Sequence, residues 1–226
     1  MSRSEPALGN GEKITDGLPE DGKLNQSTPM DSSDWHQVSR SRPTMEHFTV
    51  EDWILLSNQK KVFYAEHQAD QVLNLLRIQE NVKSFGYQVN NYRHCLQSAT
   101  MSHRDGCDEE LVVCTLLHDA GFLTCPDNHG EFAATLLANY ISDKNYWMLK
   151  HHQFFLDAHV ITHPQLNTDE LEKFRGHPHF EYTCKWVEYY DQNSIQSTYD
   201  TAPLEYFVPM VNRIFSRPSK GRILNS

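Results

Sequence analysis

Apolar residues after Pro43 recur every three or four positions, which is the spacing of one face of an α-helix. Val89, Tyr92, Leu96 and Ala99 form one such stripe, and no proline interrupts the 82 residues that follow Pro43. No alternating pattern typical of strands extends over a useful length. The pattern predicts an all-α, helical-bundle domain of roughly seven to nine helices, given usual helix lengths.

Polar residues mark where several of these helices begin. Thr49 and Asp52 have the spacing of a capping box, in which each side chain bonds the other residue's backbone N–H. Asp108, Asn128 and Ser142 precede apolar segments and are predicted N-caps. The expected later helices are 129–141, 143–158, a short one opening at Thr168, 179–192, and 204–215 bent at Pro209.

The first 43 residues lack this pattern. They contain only nine apolar residues, spread singly, together with four of the ten prolines and four of the ten glycines. Such a segment cannot bury enough apolar surface to offset the entropy lost on ordering. The sequence therefore predicts a disordered N-terminal tail over residues 1–45 and a helical domain over 46–226.

The charge balance excludes some partners. The chain has 30 acidic and 20 basic residues, a net charge of -10, whereas nucleic-acid binding needs a basic contact face. Apolar runs such as Trp53-Ile54-Leu55-Leu56 are too short to span a membrane, and the N-terminus lacks the apolar segment of a secretory signal. Five cysteines without a CxxC pair favour a reducing compartment. We expect a cytoplasmic protein with neither nucleic-acid nor membrane partners.

Histidines provide the most specific signal. Ten of the 13 lie between His94 and His179. The central motif is Leu116-Leu117-His118-Asp119-Ala120-Gly121, in which an apolar helix leads into a His-Asp pair and a glycine able to end the helix. A buried carboxylate beside a buried imidazole is costly unless a cation or hydrogen bonds offset the desolvation. A divalent metal would supply that offset, and the two carboxylate oxygens could bridge two ions.

Further metal-ligand residues surround this pair along the chain. His94 lies upstream on an amphipathic segment, His129 opens a predicted helix, His151 and His152 lie within another, and Asp191 follows the aromatic segment Trp186-Val187-Glu188-Tyr189-Tyr190. The order His, His-Asp, His, His, Asp resembles the HD-domain superfamily of helical metalloenzymes over about residues 85–215. It resembles in particular the dinuclear oxygenase branch that includes 2-amino-1-hydroxyethylphosphonate oxygenase, its trimethylammonio relative and, more distantly, myo-inositol oxygenase.

This resemblance implies a ligand set and cofactors. It implies two iron ions in a mixed-valent Fe(II)/Fe(III) state, with O2 as co-substrate and with His118 and Asp119 at the catalytic centre. One iron would be bound by His94, His118, Asp119 and Asp191, and the second by His129 and His152, with Asp119 bridging. His151 remains an alternative to His152, because a shift of one residue in matching the pattern would exchange them.

Departures from the family pattern concern the substrate pocket. Tyr87 stands where the phosphonate oxygenase has a Glu, Phe122 where it has a His, and Leu156 where it has a substrate-binding Lys. The metal ligands therefore carry over and the phosphonate pocket does not. The candidate substrate-binding residues are Tyr87, His151, His159 and His163.

Three functions follow as hypotheses. The first is an oxygenase that uses O2 to cleave a C–P or C–C bond of a small hydroxylated polar substrate such as a 1-hydroxyphosphonate. The second is a metal-dependent phosphohydrolase acting on a small phosphate ester or nucleotide, which needs only one His, His-Asp, Asp quartet. The third is a non-catalytic HD-fold protein. In each enzymatic case the partner is a small-molecule substrate, and the chain acts as a monomer or homodimer.

Overall fold

The computed structural model describes residues 36–39, 41–160, 162–163 and 169–221. Within them it contains eight α-helices and no strand, which confirms the predicted all-α class. Most of the predicted tail, residues 1–35 and 40, lies outside the described residues. The helices are α1 (Val50–Arg77), α2 (Asn91–Arg104), α3 (Glu109–Leu117), α4 (His129–Leu137), α5 (Asp143–Leu156), α6 (Asp169–Glu172), α7 (Phe180–Trp186) and α8 (Leu204–Phe215).

The chain divides into two units, Met1–Lys60 and Lys61–Ser226. In the first, the predicted capping box begins α1: the Thr49 backbone N–H donates to Asp52 Oδ2 at 2.9 Å, and the Asp52 N–H donates to Thr49 Oγ1 at 3.3 Å. Arg42 adds an ion pair to the same carboxylate. No described helix is both long enough and apolar enough to cross a membrane.

The second unit is built around α3. Every residue from Leu111 to Leu117 is buried, since α2, α5 and α8 all pack against this helix. Helix α4 packs along α5, and α7 also contacts α5. Residues Val72, Leu73 and Leu76 of α1 join the same core.

Two of the three predicted N-caps of this unit make side-chain capping bonds. Asp108 Oδ1 accepts from the Leu111 N–H at 2.8 Å, and Ser142 Oγ accepts from the Asn145 N–H at 3.3 Å. Asn128 precedes α4 but makes no side-chain capping bond. A 3₁₀ turn over Pro126–Asn128 leads into α4 instead, so the entry to this helix is set by the preceding backbone.

Some helix ends differ from the prediction. Helix α4 ends at Leu137, four residues before the predicted end. Residues 138–141 form a partly buried turn, and its apolar residues continue the pattern of the helix. Helix α7 covers only half of the predicted 179–192 and continues as a π-helix over Val187–Asp191. Gly121 does not end α3, which stops at Leu117. A Cβ at Gly121 would lie 2.7 Å from Phe132 Cδ1, so close packing requires glycine there.

Candidate metal centre

Helices α2 and α5, together with helix ends and turns, bring all six predicted ligands together in the second unit. Asp119 lies in the turn after α3, and Asp191 ends the π-helix, a wider turn that recurs at functional sites. Five of the six residues are buried and His94 is half-buried. The cluster consists of His94 from α2, His118 and Asp119 after α3, His129 at the start of α4, His152 from α5, and Asp191.

One half of the cluster joins α2, the end of α3 and the π-helix. The Nε2 atoms of His94 and His118 are 3.0 Å apart. Asp191 Oδ1 lies 3.4 Å from His94 Nε2 and 3.6 Å from His118 Nε2. Two imidazoles and one carboxylate oxygen therefore converge on one point.

The other half joins α4 and α5. The Nε2 atoms of His129 and His152 are 3.2 Å apart, and Asp119 Oδ1 lies 3.0 Å from the first and 3.4 Å from the second. Asp119 Oδ2 turns the other way and lies 3.7 Å from His94 Nε2. The Asp119 carboxylate thus stands between two pairs of imidazoles.

The imidazoles present the same nitrogen to the cluster. Each Nδ1 lies within 3.1 Å of a backbone carbonyl oxygen, which can only accept, so Nδ1 carries the proton and Nε2 keeps its lone pair. The carbonyl partners are Ser194 for His94, Thr115 for His118, Pro126 for His129 and Leu149 for His152. The backbone therefore sets the tautomer that a metal ligand needs.

The donor set fits metal ions. Two imidazole lone pairs facing each other at 3.0 Å repel unless a cation lies between them. Nitrogen ligands at about 2.1 Å from one ion and at a right angle lie about 3 Å apart, close to these separations. Asp191 Oδ2 is buried and has no hydrogen-bond partner among the described residues. The buried His/Asp cluster could thus hold a metal ion: His94, His118 and Asp191 form one group of three possible ligands, and His118, Asp119 and His152 form another.

The pKa values of Asp119 and His118 reflect the electrostatic attraction between the buried carboxylates and imidazoles. When Nε2 also carries a proton, burial still opposes ionisation of Asp119, but the His118 imidazolium and the Nε2–H groups of His129 and His152 hold the pKa of Asp119 well below its usual range. Burial would lower the pKa of His118, yet Asp119 and Asp191 outweigh it and raise that pKa to about 9. The cluster favours bound positive charge, supplied by protons or by metal ions.

The structure distinguishes the two adjacent histidines of α5. His152 Nε2 points into the cluster. His151 Nδ1 instead donates to the Trp147 carbonyl at 2.9 Å, and its ring packs on Trp147 and on Phe174. Burial lowers the pKa of His151. Between the two alternatives, the structure places His152 with the other predicted ligands.

A cavity of about 310 Å³ opens onto the cluster at His94, Asp119 and Asp191. Of the candidate substrate-binding residues, Tyr87 and His159 line it. His163 is exposed and is not part of the described cavity wall, and His151 lies in the aromatic cluster around Trp147. The cavity therefore includes two of the four residues predicted to bind substrate.

Sequence reasoning missed the residues that support the turn carrying Asp119. Asn91 Nδ2 donates to the Asp119 carbonyl at 2.9 Å and to Gln79 Oε1 at 2.7 Å. Buried Gln79 in turn donates to the Ala120 carbonyl at 2.9 Å. These amides bind backbone atoms that are 28 and 41 residues away, so no local pattern could reveal them.

Ser194 supports the other side of the centre in the same way. Its hydroxyl donates to the Asp191 carbonyl at 2.8 Å and lies 2.9 Å from His94 Nδ1. Its position three residues after Asp191 is the one sequence signal that could have suggested it.

Comparison of the sequence with models of known protein families and with curated proteins finds no match.

Proposed function

We propose that this chain is an HD-domain di-iron oxygenase that uses O2 to cleave a C–P or C–C bond of a small hydroxylated substrate. The observation that carries the proposal is the Asp119 carboxylate between two pairs of imidazoles, with one oxygen 3.0 Å from His129 Nε2 and the other 3.7 Å from His94 Nε2. A carboxylate so placed is suited to bridging two ions. The HD-like order of the six residues supports the same assignment.

The chain's own residues would hold the two irons in distinct sets. His94, His118 and Asp191 would hold one, His129 and His152 the other, and Asp119 both. Two adjacent redox-active ions with open positions would supply O2 activation and a chelating point for substrate oxygens. His, carboxylate and open positions are the donor set typical of non-haem iron oxygenases.

The surrounding residues would orient the substrate and limit access of water. His94, Asp119 and Asp191 are the cluster residues that face the cavity, so the substrate hydroxyl would enter on their side. Phe122 and Leu156 also line the cavity and provide apolar wall. With a 1-hydroxyphosphonate, the products would be a carboxylate and phosphate, which together contain both atoms of O2.

Phosphohydrolysis is the second candidate, because the quartet that suffices for a mononuclear HD phosphohydrolase is complete and adjoins the cavity. His94, His118, Asp119 and Asp191 form it. The pair His129 and His152 is surplus to that reaction, whereas a dinuclear oxygenase uses it. This surplus pair is the reason for placing the oxygenase first.

Metal analysis with low-temperature EPR on anaerobically prepared, partly reduced protein tests the choice. The oxygenase requires about two irons per chain and a mixed-valent signal. A single Mn, Co or Ni per chain, with no such signal after reconstitution with iron, would contradict it. Phosphate-ester hydrolysis by that protein would then support the second candidate.

A further inference from the structure

Apolar side chains form much of the described cavity wall beside the candidate metal centre. Phe85, Val89, Phe122, Leu156, Val160 and Ile195 line it. Among the described residues, no Lys or Arg takes part in this wall.

The side-chain amides of Asn90 and Asn91 in the cavity lining are already engaged. Asn90 caps α2 by accepting from the Arg93 N–H, and its amide donates to the Glu80 and Val82 carbonyls. The Asn91 amide donates to Gln79 and to the Asp119 carbonyl. The start of α2, where backbone N–H groups can attract an anion, is therefore capped by Asn90 from within the protein.

The groups that remain for a ligand are uncharged or weakly basic. The hydroxyls of Ser84 and Tyr87 and the ring of His159 line the cavity and make no hydrogen bond with the rest of the described chain. They suit hydroxyl groups of a ligand. A phosphonate or phosphate has three polar oxygens, and those that a metal centre leaves free are bound in proteins by Arg, Lys or free backbone N–H groups.

Aromatic residues at the mouth point to an apolar part of the ligand. Phe85 has a φ of 54°, a left-handed conformation that a bulky residue rarely adopts, and its side chain is 68% exposed. Tyr87, two residues on, is 62% exposed. Strained and exposed aromatics are costly for folding alone, and such strain clusters at ligand-binding sites. Contact with an apolar ligand would give both rings a function.

We infer that the substrate is a neutral, hydroxylated molecule with an apolar portion, such as a 1,2-diol bearing a short alkyl or aryl group, rather than a phosphonate or phosphate. The inference rests on the proposed function, since it takes the metal centre as the point that binds the hydroxyl groups. It goes further by assigning the uncharged wall to substrate selection. Leu156 and Val160 are the specificity-determining positions.

Two matched ligands test it: 1-phenyl-1,2-ethanediol, which is neutral, and hydroxy(phenyl)methylphosphonate, which is anionic. Calorimetric titration of the iron-loaded protein without O2 measures binding separately from turnover. The diol should bind about tenfold more tightly than the phosphonate. Comparable or tighter binding of the phosphonate, or no measurable binding of either, would overturn the inference.

Substitutions in the wall provide the second measurement. Leu156→Lys should improve phosphonate binding about tenfold and weaken diol binding, while Leu156→Gln, of similar size without charge, should leave phosphonate binding nearly unchanged. Val160→Lys tests the same idea at an exposed position of the cavity lining. An equal effect of Lys and Gln at Leu156, and no gain at Val160→Lys, would refute the role of the uncharged wall.

Failure of the oxygenase proposal has a different signature. If the diol binds selectively under argon but admitting O2 causes no oxygen consumption, the selectivity stands and the oxygenase assignment falls. If oxygen is consumed only with the phosphonate, the oxygenase assignment stands and the neutral substrate class falls.

Discussion

Two adjacent histidines of α5 provide the sharpest comparison at the scale of single residues. His152 lies with its Nε2 3.2 Å from that of His129, whereas His151 packs on Trp147. His152→Gln should lower metal affinity by more than the roughly 10–100-fold expected for an outer-shell partner, since it removes a ligand. His151→Gln should leave the metal affinity unchanged. Metal content after dialysis against a metal buffer measures both.

Equal metal loss from the two variants would show that the cluster does not bind metal through His152. Loss from His151→Gln alone would assign the ligand to the neighbouring residue.

Ser194 belongs to the same scale but acts through His94. Its hydroxyl lies 2.9 Å from His94 Nδ1, and its carbonyl lies 3.1 Å from the same atom. Ser194→Ala removes only the hydroxyl, so metal affinity should fall about tenfold, the lower end of the range for partners of metal-bound histidines. Ser216→Ala is the matched control, because Ser216 makes one bond to a backbone carbonyl in α8. Similar affinities of the two variants would contradict the role of Ser194.

Among the helix contacts, the crossing of α4 and α5 depends on Gly130. A Cβ at this position would lie 2.8 Å from the Leu149 carbonyl oxygen and 3.2 Å from His152 Nδ1. Backbone cannot move as easily as a side chain, so Gly130→Ala should cost about 1–2 kcal/mol even after its gain in helix propensity. It should also weaken metal binding through His152.

Urea unfolding and metal content check this prediction. Thr135→Ala on the exposed face of α4 is the control and should be neutral or slightly stabilising. A stable, fully metal-binding Gly130→Ala would mean that the two helices separate without consequence for the centre.

Glu110 links three elements through one carboxylate. It accepts from the Ser142 N–H at 2.6 Å and from Asn145 Nδ2 at 2.9 Å, and it pairs with Arg217. Burial would raise the pKa of Glu110, but these hydrogen bonds outweigh it and lower the pKa to about 2. A lowered folded-state pKa stabilises the fold above pH 4.5 and loses that stabilisation as the pH falls towards 2.

Glu110→Gln should therefore reduce the free energy of unfolding by about 1.5–3 kcal/mol at pH 7, and the difference from wild type should shrink below pH 4.5. Glu109→Gln is the control, since Glu109 makes a more exposed ion pair with Arg213 that contributes little to stability. Chemical unfolding from pH 7 to pH 3 measures both. A pH-independent difference would contradict the pKa of Glu110.

For the molecule as a whole, local signals were enough to predict the class and most helix starts. Asp108 and Ser142 cap residues three positions away, so their roles are visible in sequence. The end of α4 was not visible in the sequence, because the turn at 138–141 is also partly buried and apolar residues alone do not distinguish a turn from a helix. The conversion of 187–191 to a π-helix has no local signal either.

The candidate centre also has a part that the sequence predicted and a part that it did not. Residue type and order were sufficient to select the residues that the structure brings together, although their role as ligands remains a prediction. The supporting residues Gln79, Asn91 and Ser194 bind backbone carbonyls, which every residue possesses. Their partners become definite only when the helices are in place, and so does the uncharged wall of the cavity.

Metal binding should affect the stability of the whole second unit. Without a metal ion, only protons can offset the negative charge of the two buried carboxylates. His118 and Asp191 are both almost fully enclosed, so water contributes little. A ligand that binds only the folded state at a hundred times its Kd adds about 2.7 kcal/mol. For a chain of this size that corresponds to a rise of about 5–10 °C in Tm.

Thermal unfolding of chelator-treated and iron-reconstituted protein, under argon, measures this difference. His152→Gln should show a clearly smaller rise, because its centre lacks the ligand contributed by α5, while His151→Gln should behave as wild type. Identical Tm values for the treated and reconstituted wild-type protein would contradict a metal centre at this position. A rise of the same size in His152→Gln would place the bound metal elsewhere in the molecule.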